Sequence, residues 1–307
     1  MSAQPDGLIT IQDFVRWGAS RFKAAGLFFG HGTDNALDEA AELVLGALDL
    51  DHSLPAAFHS CRLTLAERER VAALIERRVR ERVPVAYLTG RAWFSGFEFI
   101  VDSNVLVPRS PIAELLEVGF DPWVDPARVE RVLDLCTGSG CIGIAAALHL
   151  PDAEVDLVDL SPAALTVARA NIERYGLDER VRAIESDLFA ALDDIRYDVI
   201  VSNPPYVPRD EYDTLPEEFL REPELGLVAA DEGLALALRI LERAPHHLEP
   251  EGVLVLEVGN SAFALEQRLP EVPFTWLEFE RGGEGVLVLT REQLLAHRAE
   301  IAAAAAA

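Results

Sequence analysis

The chain has 307 residues, half of them hydrophobic, and carries 52 acidic against 27 basic residues, for a formal net charge of −25. This length and composition exclude a disordered chain and allow a substantial core, with room for two domains. The negative charge repels phosphate backbones, so it disfavours free nucleic acid as a substrate and favours a basic partner, with the alternative that the acidity serves only solubility.

Residues 1–84 are predicted to form a helical bundle, because apolar residues recur along them at intervals of three and four. Thr64 is a predicted N-cap, and Glu67 three residues later is predicted to complete a capping box. The aromatic residues of this segment are expected to pack in its core rather than to contact a cofactor.

Residues 85–110 are predicted to form a β-hairpin linker. Two β-rich runs, Ala92-Trp93-Phe94 and Phe97 to Val101, flank the turn signal Ser95-Gly96. Arg109 follows in a proline-containing break. It could bind a carboxylate or cap the local structure, and the second interpretation is favoured.

Residues 111–298 are predicted to form an α/β domain, because strand-like and helix-like segments alternate along them. This alternation implies a mainly parallel sheet with helices on both faces, ending in a hairpin. Residues 299–307 contain an alanine run without a partner in the pattern, and we expect them to be a frayed tail. The predicted strands are residues 131–135, 154–158, 181–184, 197–202, 253–257, 274–279 and 286–289, and the predicted helices are residues 112–118, 142–150, 162–175 and 233–244.

A glycine-rich loop from Asp134 to Gly140 follows the first strand of this domain and opens a helix. Glycines let the backbone approach a ligand closely, and a helix N-terminus adds free N–H groups. Asp159 ends the second strand about twenty residues later, the spacing at which a carboxylate can accept hydrogen bonds from both ribose hydroxyls. These features predict a ligand that carries a ribose.

The stretch from Gly138 to Gly143 also matches the G-x-G-x-x-G pattern, which leaves a nicotinamide-dependent oxidoreductase open. Asp134 favours another ligand, since a carboxylate is unfavourable beside a pyrophosphate but suits the cationic amino group of S-adenosylmethionine. Asp187, after the third strand, supplies an acceptor where an adenine amino group would lie. Sites at the ends of four successive strands therefore agree on S-adenosylmethionine.

The fourth of these sites is Asn203-Pro204-Pro205-Tyr206, at the edge where open α/β sheets bind ligands. The Asn203 side chain offers one carbonyl acceptor and the Pro204 backbone a second, while two consecutive prolines restrict the chain. Two fixed acceptors can hold both hydrogens of one NH₂ group and turn its lone pair toward an electrophile. The motif predicts alkylation of a planar nitrogen, against the simpler interpretation as a turn.

These motifs resemble those of the class I methyltransferases that modify amide or exocyclic amino nitrogens. Over nearly its whole length the chain is similar to the protein-glutamine methyltransferases of the HemK/Prm group, and within them it looks most like the branch that acts on large-subunit ribosomal protein L-three. The release-factor branch usually has glycine where this chain has Cys136, which argues against a release-factor substrate. The resemblance rests on Tyr87-Leu88-Thr89, Gly90, Val107 to Ile112, Cys136, Glu222 to Leu227 and Phe279 to Val286.

The resemblance implies a seven-stranded, Rossmann-like class I methyltransferase domain preceded by a helical substrate-recognition domain. It also implies transfer of a methyl group to a glutamine side-chain amide, with Asn203 and Pro204 binding the amide and Pro205 and Tyr206 contacting the substrate. No general base is assigned. The cofactor S-adenosylmethionine would be bound by Asp134, Cys136, Thr137, Gly138, Ser139, Gly140, Asp159, Asp187 and Leu188.

Other functions remain as alternatives. A peptide release factor glutamine methyltransferase would use the same site, and a DNA adenine methyltransferase would be expected to show a basic groove. A nicotinamide oxidoreductase would leave Asn203 to Tyr206 without a role. A non-catalytic ribosome-assembly binder would need only the helical domain and no cofactor.

The cysteines and apolar stretches bear on location. Cys61, Cys136 and Cys141 have neither metal-ligand spacing nor an evident disulfide framework, so we expect reduced thiols and no metal site. The apolar stretches, such as Cys141 to Leu150, are too short to span a bilayer, and the first residues lack a signal-peptide pattern. We expect a cytoplasmic protein without a membrane partner.

Overall fold

The computed structural model describes residues 7–306, which group into two compact units. The smaller unit contains the residues up to Ala92 together with Val101–Ser103 and Pro216–Glu222. The larger unit contains Trp93–Ile100, Asn104–Leu215 and the residues from Pro223 onward. The segment Pro216–Glu222 thus belongs to the smaller unit although it lies far along the chain, a grouping that local periodicity does not reveal.

The smaller unit is helical, as predicted. Its core contains Phe14, Leu43 and Ile75, all fully buried. The predicted capping box is confirmed, since Thr64 Oγ1 accepts a hydrogen bond from Glu67 N at 3.3 Å and Glu67 Oε2 accepts one from Thr64 N at 2.7 Å. Its helices are α1 (Ile11–Ala24), α2 (Ala36–Ala47), α3 (Leu65–Glu81) and α4 (Val85–Thr89).

Buried charges tie Pro216–Glu222 to these helices. Glu218 is almost fully buried, and its Oε1 accepts hydrogen bonds from Arg82 Nη1 and from Phe28 N, both at 3.1 Å. Arg78, which is fully buried, lies 3.5 Å from the same oxygen. Burial acts to raise the pKa of Glu218, but these donors outweigh it and hold the pKa below its usual value.

The predicted hairpin is confirmed as β1 (Arg91–Phe94) and β2 (Phe97–Ile100), joined by Ser95 and Gly96. Both turn residues have positive φ, +48° and +80°, as a tight two-residue hairpin turn requires. The prediction was wrong for the start of this segment, where Val85–Thr89 forms α4 instead of β structure. Pro84 precedes that helical turn and Gly90, at φ +75°, ends it.

The larger unit contains the predicted mainly parallel sheet of seven strands. They are β3 (Arg131–Leu135), β4 (Glu154–Asp159), β5 (Val181–Glu185), β6 (Tyr197–Ser202), β7 (Leu248–Glu257), β8 (Thr275–Trp276) and β9 (Val286–Thr290). The order is β5-β4-β3-β6-β7-β9-β8. Strands β3 to β7 pair in parallel, whereas β9 is antiparallel to both β7 and β8. The predicted terminal hairpin is therefore also confirmed.

Apolar clusters cover both faces of this sheet. Consecutive strand residues alternate between them, so Val132 and Val199 face one cluster whereas Leu133 and Ile200 face the other. The first cluster includes residues of α6 (Cys141–His149) and α7 (Pro162–Tyr175). The second cluster includes residues of α9 (Ala235–His247) and α11 (Arg291–Ala296). The helices of this unit are α5 (Ala113–Glu117), α6 (Cys141–His149), α7 (Pro162–Tyr175), α8 (Arg209–Tyr212), α9 (Ala235–His247), α10 (Ala262–Arg268), α11 (Arg291–Ala296) and α12 (Arg298–Ala305).

The prediction that residues 299–307 form a frayed tail is wrong for residues 299–305, which belong to α12 (Arg298–Ala305). Alanine has the highest helix propensity of any residue, and Ile301, only 1% exposed, anchors the helix in the same apolar cluster as α9. Ala307 lies outside the described residues. Between residues 7 and 306, none of the helices is both long and apolar enough to cross a membrane.

Candidate active site

The larger unit has a cavity at the carboxyl ends of β3, β4, β5 and β6, with an empty volume of about 1060 Å³. The structure thus brings the four predicted strand-end sites to one place. Its walls include the predicted site residues Cys136, Thr137, Gly138, Ser139, Asp159, Asp187, Leu188, Asn203 and Pro205, whereas Asp134, Gly140, Pro204 and Tyr206 do not line it.

Asp134 supports the glycine loop from beneath the cavity wall. It is fully buried, and its Oδ2 accepts hydrogen bonds from Thr137 Oγ1 and from Gly143 N, the second at 2.9 Å. Burial raises the pKa of Asp134 to about 7, although both hydrogen bonds act to lower it. Its Oδ1 has no hydrogen-bond partner among residues 7–306. A buried carboxylate oxygen without a hydrogen-bond partner fits a site that receives a cationic group.

Asp159 holds the loop and faces the cavity. Its Oδ2 accepts a hydrogen bond from Gly138 N at 2.9 Å, and its Oδ1 accepts one from Ser161 N at 2.8 Å. Each carboxylate oxygen has a further lone pair, so both can also accept from a diol. Gly138 has φ +55° and open space where a Cβ would lie. The residues present therefore fit a ribose-bearing ligand that approaches the loop backbone closely.

Cys136 has an unusual backbone conformation for a residue with a side chain. Its φ is +59°, in the left-handed region that glycine adopts without steric cost. Its thiol lies near Ser202, and burial raises the thiol pKa. The position where the sequence departs from the release-factor branch is therefore one that favours glycine physically.

Asp187 and Leu188 lie on the wall formed after β5. Asp187 Oδ2 accepts a hydrogen bond from Arg239 Nη2 of α9 at 2.8 Å, so the predicted adenine acceptor already has a cationic neighbour. Leu188 is buried and has φ +49°. Their contacts with adenine stay a prediction.

Asn203 and Pro205 line the cavity, whereas Tyr206 does not line it and packs against other residues of the larger unit. The Tyr206 ring packs so tightly on Gly259 that a Cβ there would lie 2.5 Å from a ring carbon. Ser261 Oγ donates a hydrogen bond to the Tyr206 carbonyl at 2.9 Å. Contact between Tyr206 and a substrate stays a prediction. The contacts of Tyr206 with Gly259 and Ser261 instead hold the Asn-Pro-Pro-Tyr segment in place.

Glu257 was not predicted as a site residue, because its sequence marks it only as the last residue of a strand. The side chain is 5% exposed, accepts hydrogen bonds from Ser110 Oγ and from Tyr206 Oη, and lies beside the Asn203 side chain. Burial raises the pKa of Glu257 to about 7, although these donors and the nearby charge of Arg109 act to lower it. The available signal was an acidic residue ending an otherwise apolar strand.

Arg109 also lines the cavity, and its Nη1 donates a hydrogen bond to the Val107 carbonyl at 3.3 Å. This contact agrees with the favoured interpretation as a local capping residue. Its charge beside Glu257 shows that it also acts on a carboxylate of the protein itself.

The strand order, the glycine loop after β3, the carboxylate at the end of β4 and the Asn-Pro-Pro-Tyr segment after β6 together define a class I methyltransferase. Family comparisons agree with this class. Residues 122–230 match the family described as methyltransferase small domain, and residues 13–90 match the PrmC N-terminal domain.

Relatives identify the family more closely. The chain is 53% identical over 306 residues to the ribosomal protein uL3 glutamine methyltransferase of Xanthomonas campestris pv. campestris, covering 100% of this chain and 99% of that protein. It is 52% identical over 289 residues to the protein of the same name from Neisseria meningitidis serogroup B, covering 94% of this chain and 95% of that protein. The solved structure of a methyltransferase from Pyrococcus furiosus is 20% identical, with a TM-score of 0.47, covering 73% of this chain and 98% of that one. This chain belongs to the family of the ribosomal protein uL3 glutamine methyltransferases, which confirms the resemblance seen in its sequence.

Proposed function

We propose that this protein transfers a methyl group from S-adenosylmethionine to the side-chain amide nitrogen of a glutamine in ribosomal protein uL3, in the cytoplasm. The observation that carries this proposal is that Asn203 and the glycine loop face one cavity. An acceptor for an amide NH₂ group and a cradle for a ribose-bearing methyl donor therefore lie side by side.

S-adenosylmethionine, when bound, supplies an electrophilic methyl group on its sulfonium. On this chain, Asp159 would accept hydrogen bonds from the ribose hydroxyls, and Asp187 and Leu188 would contact the adenine. The backbone from Cys136 to Ser139 would lie along the ligand, and Asp134 would hold that loop from behind the cavity wall, where its negative charge would favour the ammonium group.

The substrate amide would be held by two acceptors, Asn203 Oδ1 and the Pro204 carbonyl. An amide nitrogen is a poor nucleophile because its lone pair is delocalised into the carbonyl. Holding both N–H bonds fixes the plane of the nitrogen and directs the lone pair toward the methyl group. The N–CH₃ bond would form as the sulfonium S–CH₃ bond breaks, with the thioether S-adenosylhomocysteine as the leaving group, and one N–H proton of the amide would pass to solvent. Catalysis would come mainly from placement and from exclusion of bulk water during transfer, and no general base is assigned.

The charge of the chain supports a basic protein substrate. A net charge of −25 attracts a cationic partner and raises the rate of encounter with it. We assign recognition of that partner to the helical smaller unit, which carries none of the predicted cofactor residues. The three free cysteines agree with a reducing cytoplasm.

The test is transfer of a labelled methyl group from S-adenosylmethionine to purified uL3, a peptide release factor and DNA in parallel reactions. We expect label on uL3 alone, with the modified residue identified as a methylated glutamine by fragmentation mass spectrometry. Label on the release factor or on DNA would assign the chain to one of the alternatives. Cofactor binding without label on any substrate would overturn the proposed substrate.

A further inference from the structure

The neighbouring ends of β6 and β7 place Glu257 beside the Asn-Pro-Pro-Tyr segment. The two strands pair in parallel, with Ser202 opposite Leu256. The next residues, Asn203 just beyond β6 and Glu257 at the end of β7, therefore lie side by side. Glu257 is thus positioned by the sheet, independently of any substrate.

The carboxylate of Glu257 receives donors from three directions. Ser110 Oγ donates to its Oε2 at 2.5 Å, and Tyr206 Oη donates to its Oε1 at 3.2 Å. The side-chain amide of Asn203 is the third neighbour of this carboxylate, placed beside it by the β6–β7 register. Above its pKa of about 7, Glu257 is an ionised carboxylate with acceptors only, so the part of Asn203 that faces it must be its NH₂ group.

This choice fixes the orientation of the Asn203 amide. The two orientations of an asparagine amide have nearly the same shape, so hydrogen-bond partners decide between them. With its NH₂ group on Glu257, Asn203 has its Oδ1 available on the side that lines the cavity. In the flipped orientation an NH₂ group would face the NH₂ group of a substrate amide, and no hydrogen bond could form.

Glu257 also fixes the second acceptor. It binds residues on both sides of the two prolines, Asn203 before them and Tyr206 after them. The Tyr206 carbonyl is held in addition by Ser261. The Pro204 carbonyl therefore lies in a segment whose two ends are tied to one carboxylate.

We infer that Glu257 is a positioning residue for methyl transfer: its carboxylate holds the Asn203 NH₂ group and the Tyr206 hydroxyl so that Asn203 Oδ1 and the Pro204 carbonyl face the substrate amide. This inference rests on the proposed function. Glu257 does not line the cavity, so it acts through Asn203 and Tyr206 rather than on the substrate itself.

The test variant is Glu257→Gln, which has nearly the same shape but only one acceptor oxygen. The NH₂ group of the introduced glutamine must then face one of the three donors around this position. If it faces Asn203, it can donate to Asn203 Oδ1 and so stabilise the flipped orientation of the Asn203 amide. We expect kcat for uL3 methylation to fall about 10- to 100-fold, below the 10²- to 10³-fold typical of removing a direct contact to the transition state. The Kd for S-adenosylmethionine, measured by calorimetry, should change less than about twofold, because Glu257 does not reach the cofactor cavity.

Asp156→Asn is the matched control. Asp156 is also a buried carboxylate in the sheet, 4% exposed, and its Oδ2 accepts a hydrogen bond from Tyr197 Oη at 2.8 Å. It lies outside the cavity wall. This variant should lose stability but keep kcat, which separates a loss of positioning from a general effect of neutralising a buried acid.

A double-mutant cycle with Asn203→Ala identifies the route of action. If Glu257 acts mainly through Asn203, adding Glu257→Gln to Asn203→Ala should lower kcat by less than about threefold more. Fully multiplicative losses would overturn the inference, and so would wild-type kcat in Glu257→Gln. An inactive wild-type enzyme would instead reject the proposed function.

A second variant keeps the inference testable if Glu257→Gln folds poorly. Glu257→Asp preserves an accept-only carboxylate and should be more active than Glu257→Gln per folded molecule, as counted by cofactor-binding stoichiometry. Higher activity in Glu257→Gln than in Glu257→Asp would contradict the inference, because a negatively charged group with acceptors only would then not be needed at position 257.

Discussion

Gly138 N donates a hydrogen bond to Asp159 Oδ2 at 2.9 Å, so the glycine loop after β3 is fixed to the end of β4. The carboxylate proposed to bind the ribose is therefore also the group that sets the position of the loop. Removing the Asp159 carboxylate should therefore weaken ligand binding in two ways: it removes acceptors for the ribose, and it frees the glycine loop from the end of β4.

Asp159→Ala should accordingly weaken S-adenosylmethionine binding about 10-fold or more, since hydrogen bonds to charged groups contribute about 1.5–3 kcal/mol. The measurement is isothermal titration calorimetry. Glu154→Ala is the control, because Glu154 starts the same strand at its other end and its side chain forms an exposed ion pair with Arg131. Unchanged affinity in Asp159→Ala would reject the ribose assignment.

Asn203→Ala should lower kcat for uL3 methylation by about 10² or more, the usual scale for removing a well-placed polar contact in a transition state. Cofactor affinity should be nearly unchanged, because the acceptor is proposed to serve the substrate amide. Single-turnover transfer of labelled methyl groups measures the rate. A near-normal rate would contradict the two-acceptor mechanism.

Much of the catalytic unit was predictable because its signals are local. Strand-helix alternation located β3 to β7, and the predicted cofactor residues lie at or just after the carboxyl ends of β3, β4 and β5, which brings them to one edge of a parallel sheet. Glu257 was not predictable as a site residue, since its partners Ser110 and Asn203 are distant in sequence. The sheet register that joins them depends on strand order, which periodicity does not contain.

The membership of Pro216–Glu222 in the smaller unit was missed for a related reason. It depends on buried ion pairs such as Arg78 with Glu218, and nothing in either local sequence identifies the other as its partner. The helical tail was missed because uniform alanine has no periodicity, so only the single residue Ile301 marks its buried face.

Ile301→Ala tests whether α12 is part of the folded unit. Ile301 is 1% exposed, and truncating a fully buried isoleucine typically lowers the free energy of unfolding by about 2–5 kcal/mol. Urea denaturation measures this loss. Ala303→Ser, on the exposed side of the same helix, should change stability by less than about 0.5 kcal/mol. Equal stability in the two variants would support the frayed tail after all.

Cys136→Gly tests the left-handed backbone at the cofactor loop. A residue with a Cβ costs about 1–2 kcal/mol there, and glycine loses about 0.5–1 kcal/mol more conformational entropy on folding. We expect the free energy of unfolding to rise by up to about 1 kcal/mol. Cys136→Ala is the control, since it removes the thiol but keeps the Cβ. If both variants lose stability equally, the thiol contact with Ser202 outweighs the backbone strain.

The raised pKa of Glu257 predicts how stability depends on pH. The pKa rises from 4.5 to about 7 on folding, mainly through burial. Between these values the unfolded chain has released the proton that the folded chain retains, so the contribution of Glu257 to stability falls as pH rises. It is fully present below about pH 4.5 and is lost above about pH 7.

Glu257→Gln cannot titrate and should remove this dependence. The difference in Tm, variant minus wild type, should therefore increase as pH rises from about 4.5 to about 7 and should then stay constant. Other groups such as Asp134 titrate equally in both proteins and cancel in the difference. Calorimetric scans at intervals over this range give the comparison. A difference that is flat with pH would show that Glu257 is already ionised throughout, because its three donors then outweigh its burial.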